Sequence, residues 1–278
     1  MKIFHTVREL RTELDKCEQT KIGFVPTMGA LHAGHRSLVE RARKENETVV
    51  VSVFVNPTQF NDPNDLRSYP RTPEADALLL EQAGADFVLM PSVEEIYPQA
   101  DTRVFDFGRV DKVMEGASRP GHFNGVAQVV SRLFEIVRPA RAYFGEKDFQ
   151  QIAVIKAMVE QLHLPVQIVE CTIIREADGL ARSSRNVLLD PAHRAAAPHI
   201  YASLRACVEQ SHTLTPDELT AWVTSEVERN PLLKVVYFNA VDAATMQQVH
   251  TWSDCPHIQG CITVQVGKVR LIDNIRLR

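Results

Sequence analysis

Lys21–Val55 reads KIGFVPTMGALHAGHRSLVERARKENETVVVSVFV, and this stretch decides the fold. Lys21–Thr27 is a short apolar run that ends in a loop. Gly34–Glu45 has helical character: Leu38, Val39 and Ala42 fall on one face, with Arg and Glu residues on the other. Thr48–Val55 is an almost continuous β-branched and apolar run, the pattern of a strand buried on both faces. Strand, helix and strand in so short a span form a βαβ unit, which predicts parallel strands joined by a right-handed crossover.

The alternation continues outward from this unit. Pro73–Ala83 reads as a helix and Asp86–Met90 as a strand stopped by Pro91. Gly125–Val137 reads as a helix, Ala142–Gly145 as the end of a strand, Phe149–Leu162 as a helix and Val166–Glu170 as a strand. The pattern predicts an α/β fold with a Rossmann-like, doubly wound parallel sheet. Ligands on such sheets bind beyond the carboxyl ends of the strands, which directs attention to the loops after Thr27, Val55 and Phe144. The character changes near Ile174. Asp178-Gly179 is a turn pair. Thr215-Pro216-Asp217-Glu218 has Thr at the N-cap, Pro at N1 and Glu at N3, opening a helix to about Arg229. Lys234–Val241 and Cys261–Leu271 alternate like strands, with Gly267-Lys268 as a hairpin turn. The expected domains are residues 1–173, the Rossmann-like part, and residues 174–278, a small α+β part.

Composition narrows the function. The 278 residues carry 31 Lys and Arg against 35 Asp and Glu, a net charge of −4, whereas a general nucleic-acid binder carries a basic surplus. No apolar run approaches the roughly 20 residues that span a bilayer. Met1–Leu14 has no apolar core of a secretory signal, so the expected location is cytoplasmic. The five cysteines have neither CxxC nor zinc-like Cys/His spacing.

Chemistry concentrates in four segments. Pro26–His35, PTMGALHAGH, joins a strand to a helix. Gly29 and Gly34 let backbone approach a ligand. His32 and His35 share a face at the first helical turn, where unpaired N–H groups and the helix dipole suit phosphate. Neither GxxxxGK[ST] nor GxGxxG occurs, so neither a P-loop nor a dinucleotide fingerprint supplies the phosphate site. Phe144–Gln151, FGEKDFQQ, lies at another strand-to-helix junction, with Lys147 as a compact cation and Asp148 as a hydroxyl acceptor or helix cap. Arg182-Ser183-Ser184-Arg185-Asn186 offers hydroxyls and guanidinium to an oligophosphate. Phe54–Phe60, FVNPTQF, presents the neutral amides of Asn56 and Gln59. Taken singly, the last three read more readily as loops, turns and caps than as sites.

Together the four segments resemble one family. HxGH after the first strand and a downstream SSR loop are similar to the nucleotidyltransferase superfamily that includes class I aminoacyl-tRNA synthetases. VPTMGALHAGH, FVNPTQF, YPRT at 69–72, RPGHFNGVA at 119–127, FGEKDFQQ and READGLARSSRN narrow the resemblance to the pantoate–β-alanine ligases. That resemblance implies an ATP-dependent condensation of pantoate with β-alanine through a pantoyl-adenylate intermediate, releasing pyrophosphate and AMP. It implies that Met28, Gly29, Ala30, Leu31, His32, Ala33, Gly34 and His35 cover the ATP phosphates. His35, His32 and Lys147 are the implied catalytic set. Gly145, Glu146, Lys147 and Asp148 bind ATP, Ile174 makes a backbone contact on the adenine side, and Arg182, Ser183, Ser184 and Arg185 close over the phosphates. Gln59 and Gln151 hold pantoate, with Gln59 also near β-alanine. Position 182, often Met or Leu in the family, is Arg here.

The resemblance further implies Mg²⁺ delivered with ATP, no tightly bound organic cofactor, no dedicated protein metal ligand and a homodimer. Asp76 falls in an acidic stretch near the family's metal, but is not assigned as a ligand. Arg119 and His122 stay outside the expected site, with packing and substrate contact both open. No nucleic-acid or membrane partner is expected. A transferase of AMP or CMP to a phosphorylated alcohol would share HxGH but lack FVNPTQF and the FGEKDFQQ glutamines. An RNA-binding synthetase-like module conflicts with the acidic balance.

Overall fold

The computed structural model describes every residue from Met1 to Arg278. Two compact units emerge. The first comprises 1–107, 119–146 and 154–172; the second comprises 108–118, 147–153 and 173–278. The sequence pattern alone places 108–118 and 147–153 in the first domain.

The elements of the first unit begin with β1 (Lys2–Phe4), α1 (Val7–Leu14), β2 (Ile22–Thr27), α2 (Ala33–Glu45) and β3 (Thr48–Val53). After α3 (Pro63–Ser68) come α4 (Pro73–Ala83), β4 (Phe87–Leu89) and α5 (Val93–Ile96). Beyond α6 (Met114–Ser118), which groups with the second unit, come α7 (His122–Val137), β5 (Arg141–Gly145), α8 (Phe149–Gln161), whose residues up to Ala153 also group with the second unit, and β6 (Gln167–Cys171).

The six strands form a sheet in the order β1-β4-β3-β2-β5-β6, with every pairing parallel. The doubly wound α/β reading therefore describes the first unit. Chain order runs outward from β2 through β3 to β4, then restarts on the other side of β2 with β5. The switch point lies between β2 and β5, so their carboxyl ends open the crevice where ligands of such sheets bind.

Alternation along β2 sends neighbouring side chains to opposite faces. Val25 joins a cluster with Val39 and Ala42 of α2 and Leu80 of α4. Phe24 meets Phe134 of α7 edge-on, with ring centroids 6.2 Å apart. Phe24 and Val25 are both fully buried, which explains why β2 and β3 read as continuous apolar runs. α7 begins at His122, three residues earlier than its periodicity suggests, because Gly121 turns in the left-handed region with φ 82°. β1 and α1 leave no clear sequence signal: the strand has three residues and α1 is mostly charged or polar.

In the second unit, α9 (Pro191–Ala196), α10 (His199–Gln210) and α11 (Pro216–Glu228) precede β7 (Leu233–Asp242), β8 (Ile258–Val266) and β9 (Val269–Arg276). The strands form an antiparallel β7-β8-β9 sheet. Gly267-Lys268 makes the β8–β9 turn, and Gly267 has φ +58°. Leu204 and Cys207 of α10 and Leu219, Val223 and Val227 of α11 share a core with Ile262 and Val264 of β8. Thr215 and Glu218 form the expected reciprocal cap.

The segment 108–118 is fastened to this sheet by Glu115. Its carboxylate accepts from Arg270 Nη2 at 2.5 Å, Thr263 Oγ1 at 2.9 Å and Tyr237 OH at 3.0 Å. Burial works to raise the Glu115 pKa, but the Arg270 guanidinium and the hydroxyls outweigh it and hold the carboxyl below its usual range.

Candidate active site

The HAGH loop follows the last residue of β2. Thr27 Oγ1 donates to the Ser52 carbonyl at 2.7 Å, tying the strand end to β3. Gly29 and Ala30 then take φ values of 81° and 49°, a left-handed turn that for Ala30 costs about 1 kcal/mol. Asp76 offsets that cost. Its Oδ1 accepts from Leu31 N at 2.8 Å and its Oδ2 from Ala30 N at 3.0 Å, while Thr72 Oγ1 donates to Oδ1 at 3.1 Å. The Asp76 carboxylate, with the residue only 2% exposed, thus holds the backbone of the loop. A Cβ on Gly29 would stand 3.0 Å from Asp76 Oδ2 and 3.1 Å from Val53 Cγ1, so glycine is required on two counts.

His32 is the N-cap of α2. Its Nδ1 accepts from Gly34 N at 3.1 Å, and His35 Nδ1 accepts from His32 N at 3.3 Å. In the neutral rings the proton therefore sits on Nε2 of each, giving two N–H donors of known position. The rings lie 4.1 Å apart between centroids. α2 has 13 residues, no acidic residue in its first turn, and Arg43 and Lys44 in its last. The positive end of its dipole is unopposed by its own first turn, a setting that favours an anion.

Gln59 lies beside this loop, with its Nε2 donating to Met28 Sδ at 2.9 Å and its Oε1 accepting from Asn56 Nδ2 at 3.3 Å. Asn56, almost fully buried, also donates to Gly125 O at 3.1 Å and accepts from Tyr97 OH at 3.1 Å. A Cβ at Gly125 would stand 2.5 Å from Thr58 O, so glycine there lets α7 close onto the FVNPTQF turn. His122 Nδ1 lies 2.8 Å from Gln59 O, and Arg119 Nη2 donates to the same oxygen at 3.4 Å. A cavity of about 320 Å³ borders Met28, Gly29, Val53, Arg71 and Asp76.

The first unit thus brings Met28–His35 together with Gln59 and its segment neighbour Asn56, and adds Asp76, Arg119 and His122, which sequence reasoning leaves out of the site. The clue to Asp76 is only its acidic place in the first turn of α4. Gly145 and Glu146 lie at the end of β5, where burial, aided by the like charge of Glu170, pushes the Glu146 pKa up.

The second unit carries the remaining expected residues. Lys147 Nζ lies 3.3 Å from Asp148 Oδ1. Gln151 sits in the first turn of α8. Its neighbour Gln150 is instead consumed by backbone, donating to Val110 O and Val113 O at 2.8 Å each and accepting from Glu115 N at 3.0 Å. Ile174 O accepts from Arg182 N at 2.9 Å. The Arg182 side chain pairs with Glu176 at 2.9 Å. Ser183 caps the short turn Ser184–Leu188, its Oγ accepting from Arg185 N at 3.2 Å. No group of three or more His, Cys, Asp and Glu gathers in a way that could hold a metal ion. No helix is long and apolar enough to cross a membrane.

A family model described as pantoate-beta-alanine ligase matches residues 2–276. The chain belongs to the pantoate–β-alanine ligase family. It is 58% identical over 282 residues to the pantothenate synthetase of Porphyromonas gingivalis, covering 99% of each chain. The crystal structure of pantothenate synthetase from Thermus thermophilus is similar with a TM-score of 0.94 at 44% identity, covering 100% of this chain and 99% of that one. The pantoate–β-alanine ligase of Francisella tularensis, a structure complexed with beta-gamma ATP and β-alanine, gives 0.84 at 36% identity over 100% of this chain and 98% of that one. Membership of the pantoate–β-alanine ligases makes this chain an enzyme, a ligase of pantothenate biosynthesis.

Proposed function

We propose that the enzyme condenses pantoate with β-alanine in two steps through pantoyl adenylate. The observation that carries this reading is the imidazole pair at the N-terminus of α2, both Nδ1 atoms engaged by backbone N–H. A carboxylate is a poor acyl donor, and adenylation supplies a good leaving group. The pantoate carboxylate attacks the α-phosphorus of ATP, and pyrophosphate departs. The β-alanine amine then attacks the acyl carbon and AMP departs.

The protein's part is positioning and charge stabilisation. The Nε2–H groups of His35 and His32 donate to phosphate oxygens as negative charge builds there. Asp76, by accepting from Ala30 N and Leu31 N, holds the loop that leads into these two donors. Lys147, Ser183, Ser184 and Arg185 of the second unit bind the phosphates, and Asp148 accepts from the ribose. Gln59 and Gln151 hold pantoate through neutral amides, which suit a hydroxy acid. Arg182 contributes backbone alone, because its side chain is committed to Glu176. Both Asp76 oxygens are engaged by backbone N–H, and Mg²⁺ would enter with ATP, with phosphate oxygens and water rather than a protein cage to hold it. A cytoplasmic homodimer, with the second unit acting as a lid, completes the reading.

Pantoate labelled with ¹⁸O in its carboxyl group tests the order of bonds. The adenylate route transfers one labelled oxygen to AMP. Unlabelled AMP, with the displaced label in pyrophosphate, phosphate or water instead, would refute it.

A further inference from the structure

We infer that Asp273 and Asn274, successive residues of β9, together position the two nucleotide-binding segments of the second unit. The inference rests on the reading above for Lys147 and Ser183–Arg185. Both side chains are buried, at 5% and 4% exposure, where apolar residues would cost less to desolvate. Successive strand residues face opposite ways, so this pair reaches two different segments.

Asn274 Nδ2 donates to Lys147 O at 3.1 Å, fixing the backbone from which the Lys147 ammonium and the Asp148 carboxylate project. Asn274 Oδ1 accepts from Gln259 Nε2 at 2.7 Å, which sets the amide's orientation. Asp273 grips Arg175 through two parallel bonds, 2.7 Å to Nη1 and 2.9 Å to Nη2. Asp273 Oδ1 also accepts from Asn274 N at 2.8 Å, joining the two residues.

Arg175 transmits the grip. Its guanidinium lies 3.5 Å from the centroid of the Tyr201 ring and donates to Gly179 O at 3.2 Å. Arg175 and Ala181 form an antiparallel bridge, and Arg182 N donates to Ile174 O at 2.9 Å. The small hairpin therefore delivers Ser183–Arg185 at a place set by Asp273. One strand dipeptide registers the lysine segment and the serine–arginine segment against each other. Asp273 and Asn274 are positioning residues, acting through groups that touch the nucleotide.

The test compares Lys147→Ala, Asn274→Ala and the Lys147→Ala/Asn274→Ala double variant in steady-state kinetics. Asn274→Asp keeps the volume and the Gln259 contact but loses the donor, and carries the test if the alanine variant folds poorly. Both Asn274 variants are expected to raise the KM for ATP or slow pyrophosphate release about tenfold, leaving the KM for pantoate unchanged. The double variant should lose clearly less than the product of the two single losses, because Asn274 acts in part through the Lys147 ammonium. Parent ATP kinetics with only a lower melting temperature, or additive losses, would overturn the inference and leave the nucleotide reading standing. Lys147→Ala with parent kinetics would overturn both.

Discussion

His35→Ala is expected to slow adenylate formation by at least about a hundredfold, the scale for one lost donor to developing charge. That factor corresponds to about 2.7 kcal/mol of barrier. The fold should tolerate the change. His35 is half-buried, and its Nδ1 accepts from His32 N at 3.3 Å, a long bond whose loss costs little. Melting temperature should therefore stay near the parent value while pyrophosphate release collapses. Near-parent turnover in His35→Ala would remove the imidazole pair from the mechanism.

Asp76→Ala should act on both stability and rate. It strips the acceptor from Ala30 N and Leu31 N in a loop where Ala30 already sits at φ 49°. Two bonds to a charged acceptor are worth about 3 kcal/mol together, so thermal unfolding should come clearly earlier. The loop would also lose its aim, and a displacement of about 1 Å at a reacting group costs on the order of a hundredfold in rate. Asp76→Asn, with one oxygen and an NH2 facing the second N–H, should fall between. Rapid-quench measurement of adenylate on both variants decides the matter. A stability loss without a rate loss would show that the loop holds its geometry unaided.

The contrast between Asp76 and His35 shows what a sequence displays. β2, α2 and β3 are legible because β-branched runs and helical spacing are local signals. The HAGH pair is legible because both imidazoles lie on one turn. Asp76 holds a loop 45 and 46 residues away, and no local pattern reports that. Likewise Glu115 meets Arg270 across 155 positions, and this contact helps place 108–118 with the second unit. Gln150 and Gln151 read alike as neighbouring amides, and only the fold shows that Gln150 is committed to backbone. The motifs mark the chemistry, while the residues that hold the motifs in place are found through long-range hydrogen bonds.

In the proposed reaction, pantoate is activated by ATP before β-alanine takes part. The most direct test of this order is pyrophosphate release from Mg–ATP with pantoate alone, followed by addition of β-alanine. The expected result is release stoichiometric with enzyme, turning into repeated turnover with AMP and pantothenate once β-alanine is present. No release with pantoate, together with nucleotidyl transfer to a phosphorylated alcohol, would contradict it and keep only the fold and the nucleotide site.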